Sequence, residues 1–215
     1  GIGDAKQIEL MAKESPQLVN EIDKWGANFE KLKNGKLDQR FFGAHKYRRT
    51  CYSGDYTGRS ILKTLLKKAD SLGIQICDDQ YVTELLISEQ ICFGAMSFNN
   101  KTFERTVHFA DAVILCTGGH TRLWKRSSSR KNENTGDGFH LGLQAGCELI
   151  DMEMVQFHPS GMLLPEDIAG TLVTEAVRGE GGKLLNKNGE RFMVNYDKDR
   201  MELSTRDRVA IANYT

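Results

Sequence analysis

Two glycine-bearing segments carry the first chemistry the sequence offers. Thr117-Gly118-Gly119 follows directly on the apolar run AVILC at 112–116. Open α/β sheets bind ligands at the carboxyl ends of their strands, and paired glycines let the backbone approach a cofactor closely. A tight turn after a buried strand would use the same residues. Asn134-Thr135-Gly136-Asp137-Gly138 precedes a predicted helix. Glycines there expose N–H groups at the positive end of the helix dipole, and Asp137 either accepts from ribose hydroxyls or caps the helix. Titratable groups follow. Gln156 stands two residues before His158 and shares its side of an extended segment. Glu175 and Arg178 are three apart, hence neighbours on a helix, with an exposed ion pair as the plain alternative. Ser204-Thr205 reads as a helix N-cap, which places Arg206 at the positive end of that helix. A nearby Arg178 would further disfavour the charge on Arg206, and Asp207 would favour it.

The elements that must position these groups are partly legible. Asp4 is a candidate cap for a helix over 4–14, and Ser15-Pro16 restarts a helix that Gly26 ends. Ile61, Leu62, Leu65, Leu66, Ala69 and Leu72 form one stripe of an amphipathic helix closed by Gly73. Residues 74–77 read as a short strand. Runs at 81–88, 91–98 and 102–109, with turns at 89–90 and 99–100, predict an antiparallel meander. The AVILC run predicts a strand buried on both faces. A helix is expected from Gly138 to Gly146, and residues 183–186 and 190–193 flank a turn as a hairpin.

Composition bounds the class. The 215 residues are 40% hydrophobic and 27% charged, with 29 basic and 29 acidic side chains. That describes a globular chain with no net field toward nucleic acid or an anionic membrane. Cys51, Cys77, Cys92, Cys116 and Cys147 are odd in number and never in C-x-x-C spacing. A disulfide framework, a zinc site or an iron–sulfur site is therefore not expected within the chain, and a reducing, cytoplasmic compartment is. No metal site is expected. No apolar run is long enough to span a bilayer, so membrane association, on the cytoplasmic face, is expected only through partners. The chain starts at Gly1 without an initiator Met and stops at Thr215 within the helix predicted from Arg206, and so reads as a fragment.

Four signatures in order carry a family resemblance: strand–TGG with NTGDG–helix, DMEMVQFHPSG at 151–161, TEAVRGEGG at 174–182 and MELSTRDR at 201–208. Together they resemble the flavoprotein subunits of succinate dehydrogenase and fumarate reductase. The resemblance implies an α/β fold with an incomplete Rossmann-like FAD-binding domain over 1–155 and the start of an α+β capping domain over 156–215. It implies FAD as cofactor, held in part by Thr117, Gly118, Gly119, Asn134, Thr135, Gly136, Asp137 and Gly138. It implies interconversion of succinate and fumarate by hydride exchange, with electrons passing to or from an iron–sulfur partner subunit. His158 and Thr174 would bind a substrate carboxylate, Arg206 would carry the proton, and Glu175 and Arg178 would relay it, with Glu180 supporting the loop. Phe42 and Gly43, in the stretch Phe42-Gly43-Ala44-His45, would lie at the substrate. L-aspartate oxidases are near relatives whose corresponding stretch resembles E-G-G-H. Phe42 offers no partner for an ammonium, so aspartate is expected to bind poorly, while the retained His45 keeps L-aspartate oxidase as the runner-up function. A non-catalytic flavin-binding protein is the alternative of another class. Retention of His158, Thr174, Glu175, Arg178 and Arg206 argues against it.

Overall fold

The computed structural model describes residues 2–41, 45–129 and 132–215. Contacts group the chain into two units, Gly1–Ile76 and Cys77–Thr215. In the first, Asp4 caps α1 (Ala5–Ile22) by accepting from the backbone N–H groups of Lys6 and Gln7. The helix runs unbroken through Pro16, where the sequence predicts a restart. Side chains around the proline serve carbonyls there: Ser15 Oγ donates to Met11 O at 2.5 Å and Asn20 Nδ2 to Pro16 O at 2.6 Å. A π-turn over Asp23–Ala27 ends it at Gly26, whose φ of 114° a side chain would resist.

Helix α2 (Thr57–Ser71) forms as the periodicity predicts, but its stripe is not a core face. Leu62, Leu65, Leu66 and Leu72 are exposed, and the residue it buries is Thr64. Among the described residues of this unit the neighbours of α2 are α1 and its terminal turn, too little surface to cover the leucine stripe. Two short strands, β1 (Gln39–Arg40) and β2 (Thr50–Cys51), pair antiparallel.

The second unit is built on the predicted meander. Strands β3 (Gln80–Ser88), β4 (Ile91–Asn99) and β5 (Arg105–Phe109) lie in that order, all antiparallel. The β3–β4 turn is Glu89-Gln90, both at positive φ, which matches the twist of a two-residue hairpin. Residues 112–116 join no ladder among the described residues, and Ile114 and Leu115 are exposed. The expected doubly buried strand is thus an extended segment here, because burial on both faces needs flanking strands that this unit does not provide. Residues 74–77 likewise form no strand.

Helix α3 (Asp137–Gln144) follows, then α4 (Glu175–Gly179) and α5 (Arg206–Tyr214). The predicted hairpin reduces to its turn: Asn186 N–H donates to Glu190 O, and residues Phe192–Asn195 then coil into a 3-10 turn. That turn sends Met193 into a small core with Val209 and Ala212 of α5, flanked by Leu184, Phe192 and Met201. This core fixes the start of α5 against the 180s loop. Among the described residues no helix is long and apolar enough to cross a membrane.

Candidate active site

The two glycine segments close on each other. Gly119 N–H donates to Asn134 Oδ1 at 2.9 Å, Gly136 N–H to Gly119 O at 3.2 Å, and Arg122 N–H to Asn134 O at 3.0 Å. Gly118 and Gly136 hold φ of +77° and +89°, backbone that side chains rarely adopt. A Cβ on Gly138 would overlap Thr117 Oγ1, so the extended segment and α3 approach as closely as glycine permits. At Gly119 a Cβ would meet nothing within 4 Å, which leaves that backbone open to an incoming group. No side chain caps α3; Phe139 N–H turns back to Gly136 O at 3.1 Å, and the Gly138 amide before it stays available to an anion.

Asp137, the first residue of α3, accepts from Thr135 Oγ1 and, at 2.8 Å, from Tyr81 Oη on β3. These bonds, Thr135 first, hold its carboxyl below the ordinary aspartate value, and the Asp137 bond raises the Tyr81 phenol. Sequence reading missed Tyr81, since nothing local ties a strand residue to a loop 56 positions away. An ionised carboxylate, open backbone at Gly119 and an uncapped helix start suit a nucleotide's hydroxyls and phosphates.

The second cluster gathers around Arg206. Residues 160–162 pair with 170–173 through Met162 N–H to Thr171 O, Gly170 N–H to Met162 O and Val173 N–H to Ser160 O. Ser160 Oγ adds a bond to Val173 O at 2.9 Å. This arm leads from His158 on one side to Thr174 on the other, and Thr174 is the N-cap of α4. Glu175 is 6% exposed and accepts from Arg206 Nε at 2.9 Å, with Arg206 Nη2 at 2.8 Å. Arg206 Nη1 donates to Gln156 Oε1 at 2.7 Å. Gln156 therefore orients Arg206 and not His158, because residues 151–158 are too irregular for the two-residue alternation to hold.

His158 is half-buried, and its Nδ1 faces Ser160, whose N–H is 3.3 Å away and carbonyl 3.1 Å. Burial, then the Arg206 charge, push its imidazole below the ordinary histidine value. It is held neutral, able to donate or accept. Arg178 is 4% exposed and also depressed, by burial first and then by Arg206 against the pull of Glu175. The expected Glu175–Arg178 pair on α4 makes no direct bond. Arg178 Nη1 instead donates to the main-chain oxygen of Glu202 at 2.6 Å. Thr205 occupies the N-cap position of α5 without a side-chain cap bond, and Ser204 Oγ turns to Asp197 Oδ2 at 2.6 Å. Arg206 is still the first residue of the helix. Glu180 is the exposed C-cap of α4.

Phe42 and Gly43 lie outside the described residues. His45 is described, and its Nδ1 is buried without a partner. Besides Tyr81, sequence reading passed over Glu202, buried at 3% exposure, and its counter-ion Arg191. Glu202 sits inside the MELSTRDR signature, so its position was visible and its burial was not.

A glycine-lined loop pair beside a helix start, with a protonatable cluster in the same unit, defines a nucleotide-dependent oxidoreductase type of domain. The chain belongs to the FAD binding domain family, which it matches over residues 1–215, and FAD is the cofactor. It is 44% identical over 214 residues to a fumarate reductase (CoM/CoB) subunit of Methanothermobacter marburgensis, covering 100% of this chain and 39% of that protein. It is 36% identical over 219 residues to the succinate dehydrogenase flavoprotein subunit of Rickettsia conorii, covering 98% of this chain and 36% of that protein. The solved structure of E. coli quinol fumarate reductase FrdA superposes with a TM-score of 0.86 at 32% identity, over 94% of this chain and 36% of that one. Mycobacterium smegmatis Sdh1 gives 0.75 at 40% identity, over 95% and 36%. The chain thus spans less than two fifths of the length of these relatives.

Proposed function

We propose that the chain is the flavin- and substrate-binding part of an oxidoreductase that interconverts succinate and fumarate. The observation that carries this reading is Arg206, the first residue of α5, bonded at once to buried Glu175 and to Gln156, with Arg178 and a neutral His158 close enough to feel its charge. Bound FAD supplies the two-electron exchange. The chain's own part is to hold the dicarboxylate and move one proton. His158 and Thr174 hydrogen-bond a carboxylate. Arg206 gives or takes the proton at a guanidinium nitrogen, and Glu175, 2.9 Å from its Nε, passes that proton on through the space beside Arg178. Thr117, Gly118, Gly119 and residues 134–138 hold the cofactor through backbone N–H groups and Asp137. Functionally, residues 1–155 belong to the FAD domain and 156–215 to the cap over the substrate. To Phe42 and Gly43 a substrate-binding role is assigned on the family resemblance alone. Electrons are exchanged with an iron–sulfur partner subunit, at the cytoplasmic face of the membrane.

The test is steady-state kinetics of Arg206→Ala, Arg206→Lys and His158→Ala in the full-length protein, with succinate and fumarate. Loss of a positioned acid/base costs about 10²–10⁴ in rate. Arg206→Ala should show that loss with flavin still bound. Arg206→Lys keeps a cation that can give up its proton and should retain part of the activity with a shifted pH profile. His158→Ala should mainly raise KM. Near-normal turnover in Arg206→Ala with full flavin occupancy would refute the assignment.

A further inference from the structure

Arg178 is a nearly buried cation with one anchor. Of its guanidinium nitrogens, Nη1 donates to Glu202 O at 2.6 Å, while Nε and Nη2 are buried without a partner. An arginine with five donors and one bond has no internal reason to keep its fork in one orientation. Its position is therefore set by whatever fixes the carbonyl of residue 202. That carbonyl belongs to a 3-10 turn, Met201–Leu203, in which Met201 holds a φ of 47°, unfavourable for a side-chain-bearing residue. Such a turn persists only when its surroundings hold it.

Asp197 holds the two ends of the turn, accepting from Met201 N–H at 2.9 Å and from Ser204 Oγ at 2.6 Å, and the Glu202 side chain holds its middle. It is 3% exposed and accepts from three directions: Leu184 N–H at 3.2 Å, Arg191 Nε at 2.9 and 3.2 Å, and Arg191 Nη2 at 2.6 Å. The two-pronged ion pair with Arg191 pulls the carboxyl down to about 2, so it is ionised throughout the working range. Bidentate arginine–carboxylate pairs add geometric definition as well as energy. Glu202 thus ties the 180s loop, Arg191 and the turn before α5 into one joint. Its carbonyl meets Arg178, and Arg206 begins four residues later.

Resting on the reading proposed above, we infer that Glu202, clamped by Arg191, is a positioning residue for the Arg178 end of the proton relay. It touches neither substrate nor flavin. The side chain holds the turn, the turn holds the carbonyl, and the carbonyl holds the guanidinium. A displacement of about 1 Å in such a group can cost up to about 100-fold in rate.

The experiment is a double-mutant cycle in the full-length flavin-loaded protein, reading kcat and KM for fumarate reduction, with flavin absorbance and Tm as controls. Glu202→Ala should lower kcat about 10- to 100-fold with KM within about twofold, because carboxylate binding by His158 and Thr174 is untouched. Glu202→Gln keeps the acceptor for Leu184 and loses the charge, and should fall between wild type and Glu202→Ala. Arg191→Ala should follow Glu202→Ala in kcat, and Arg191→Lys should recover part of the loss. The decisive result is Arg178→Ala combined with Glu202→Ala. If Glu202 acts through Arg178, the double variant is no slower than Arg178→Ala alone. Multiplied losses, or wild-type kcat in Glu202→Ala, overturn the positioning role and leave the relay standing. Wild-type turnover in Arg178→Ala overturns the relay itself, and the inference with it. Should Glu202→Ala fail to fold, Glu202→Gln with and without Arg178→Ala decides in the same way.

Discussion

Gly138→Ala tests whether the closeness of residue 117 to α3 builds the flavin site. The added Cβ would overlap Thr117 Oγ1 and stand 3.0 Å from Thr117 Cβ and 3.3 Å from Cγ2. Rotating Thr117 can take its hydroxyl out of the way. It cannot move its Cβ, so α3 or the 117–119 segment must give by several tenths of an ångström. Overpacking of this kind costs about 1–3 kcal/mol. The displaced atoms are the amides at the start of α3 and the open backbone of Gly119. Most of the cost should therefore appear in cofactor affinity, as about a 5- to 100-fold rise in the FAD dissociation constant. Thr117→Ala removes Oγ1 and Cγ2 and should rescue Gly138→Ala in part, with a coupling of about 1 kcal/mol between the two sites. The assay is FAD titration of the full-length apoprotein by flavin fluorescence, alongside thermal melts of the same variants. Wild-type affinity and Tm in Gly138→Ala would show that the segment and the helix can part freely. Strictly additive effects would show that the contact with Thr117 is not the cause.

Two further outcomes follow from the charges in the second unit. The Glu202 carboxyl is lowered from 4.5 to about 2, chiefly by Arg191, so its contribution to stability is full above the unfolded value and is lost as pH falls through the folded one. With Arg191 39% exposed, screening leaves that contribution at about 1–3 kcal/mol. Urea midpoints should accordingly fall more between about pH 5 and about pH 3 in wild type than in Glu202→Gln, and parallel curves would count against the ion pair. The His158 imidazole, depressed by burial and then by Arg206, should titrate below 6.5 by NMR and rise in Arg206→Ala. An unmoved value would place Arg206 too far from His158 to share a substrate with it.

Local chemistry was the most legible part of this sequence. Asp4 caps α1 as its type predicts, Glu89-Gln90 turns the meander, and α3 and α5 start where glycine and Ser204-Thr205 mark them. Each of these depends on residues within a few positions of one another. Where the periodicity failed, it failed in one way. The leucines of α2 and the AVILC run were read as core because they are apolar and regularly spaced, yet Leu62, Leu66 and Ile114 are exposed. Spacing shows which face of an element is apolar. It does not show that a partner element covers that face.

The candidate catalytic cluster follows the same division between residue type and tertiary position. Glu175, Arg178 and Arg206 could be picked by type and signature, and the structure does bring them together. Their pairing was not readable. Glu175 and Arg178 sit three apart on α4, the spacing that predicts a bond, but Glu175 bonds Arg206 31 positions away and Arg178 bonds Glu202 24 positions away. The physical reason is burial. An exposed i,i+3 pair is worth a few tenths of a kcal/mol, whereas leaving a buried carboxylate or guanidinium unpaired costs several. Once α4 is packed beneath the turn before α5, buried Glu175 takes the Arg206 guanidinium as its counter-ion and Arg178 is left with a main-chain carbonyl, so local spacing no longer decides. This arrangement also leaves two nitrogens of Arg178, Nε and Nη2, buried without a partner. A fully bonded Arg178 would be a structural pin. One anchored singly, from the Glu202 carbonyl, keeps donors free for a new partner, as the relay proposed above would need.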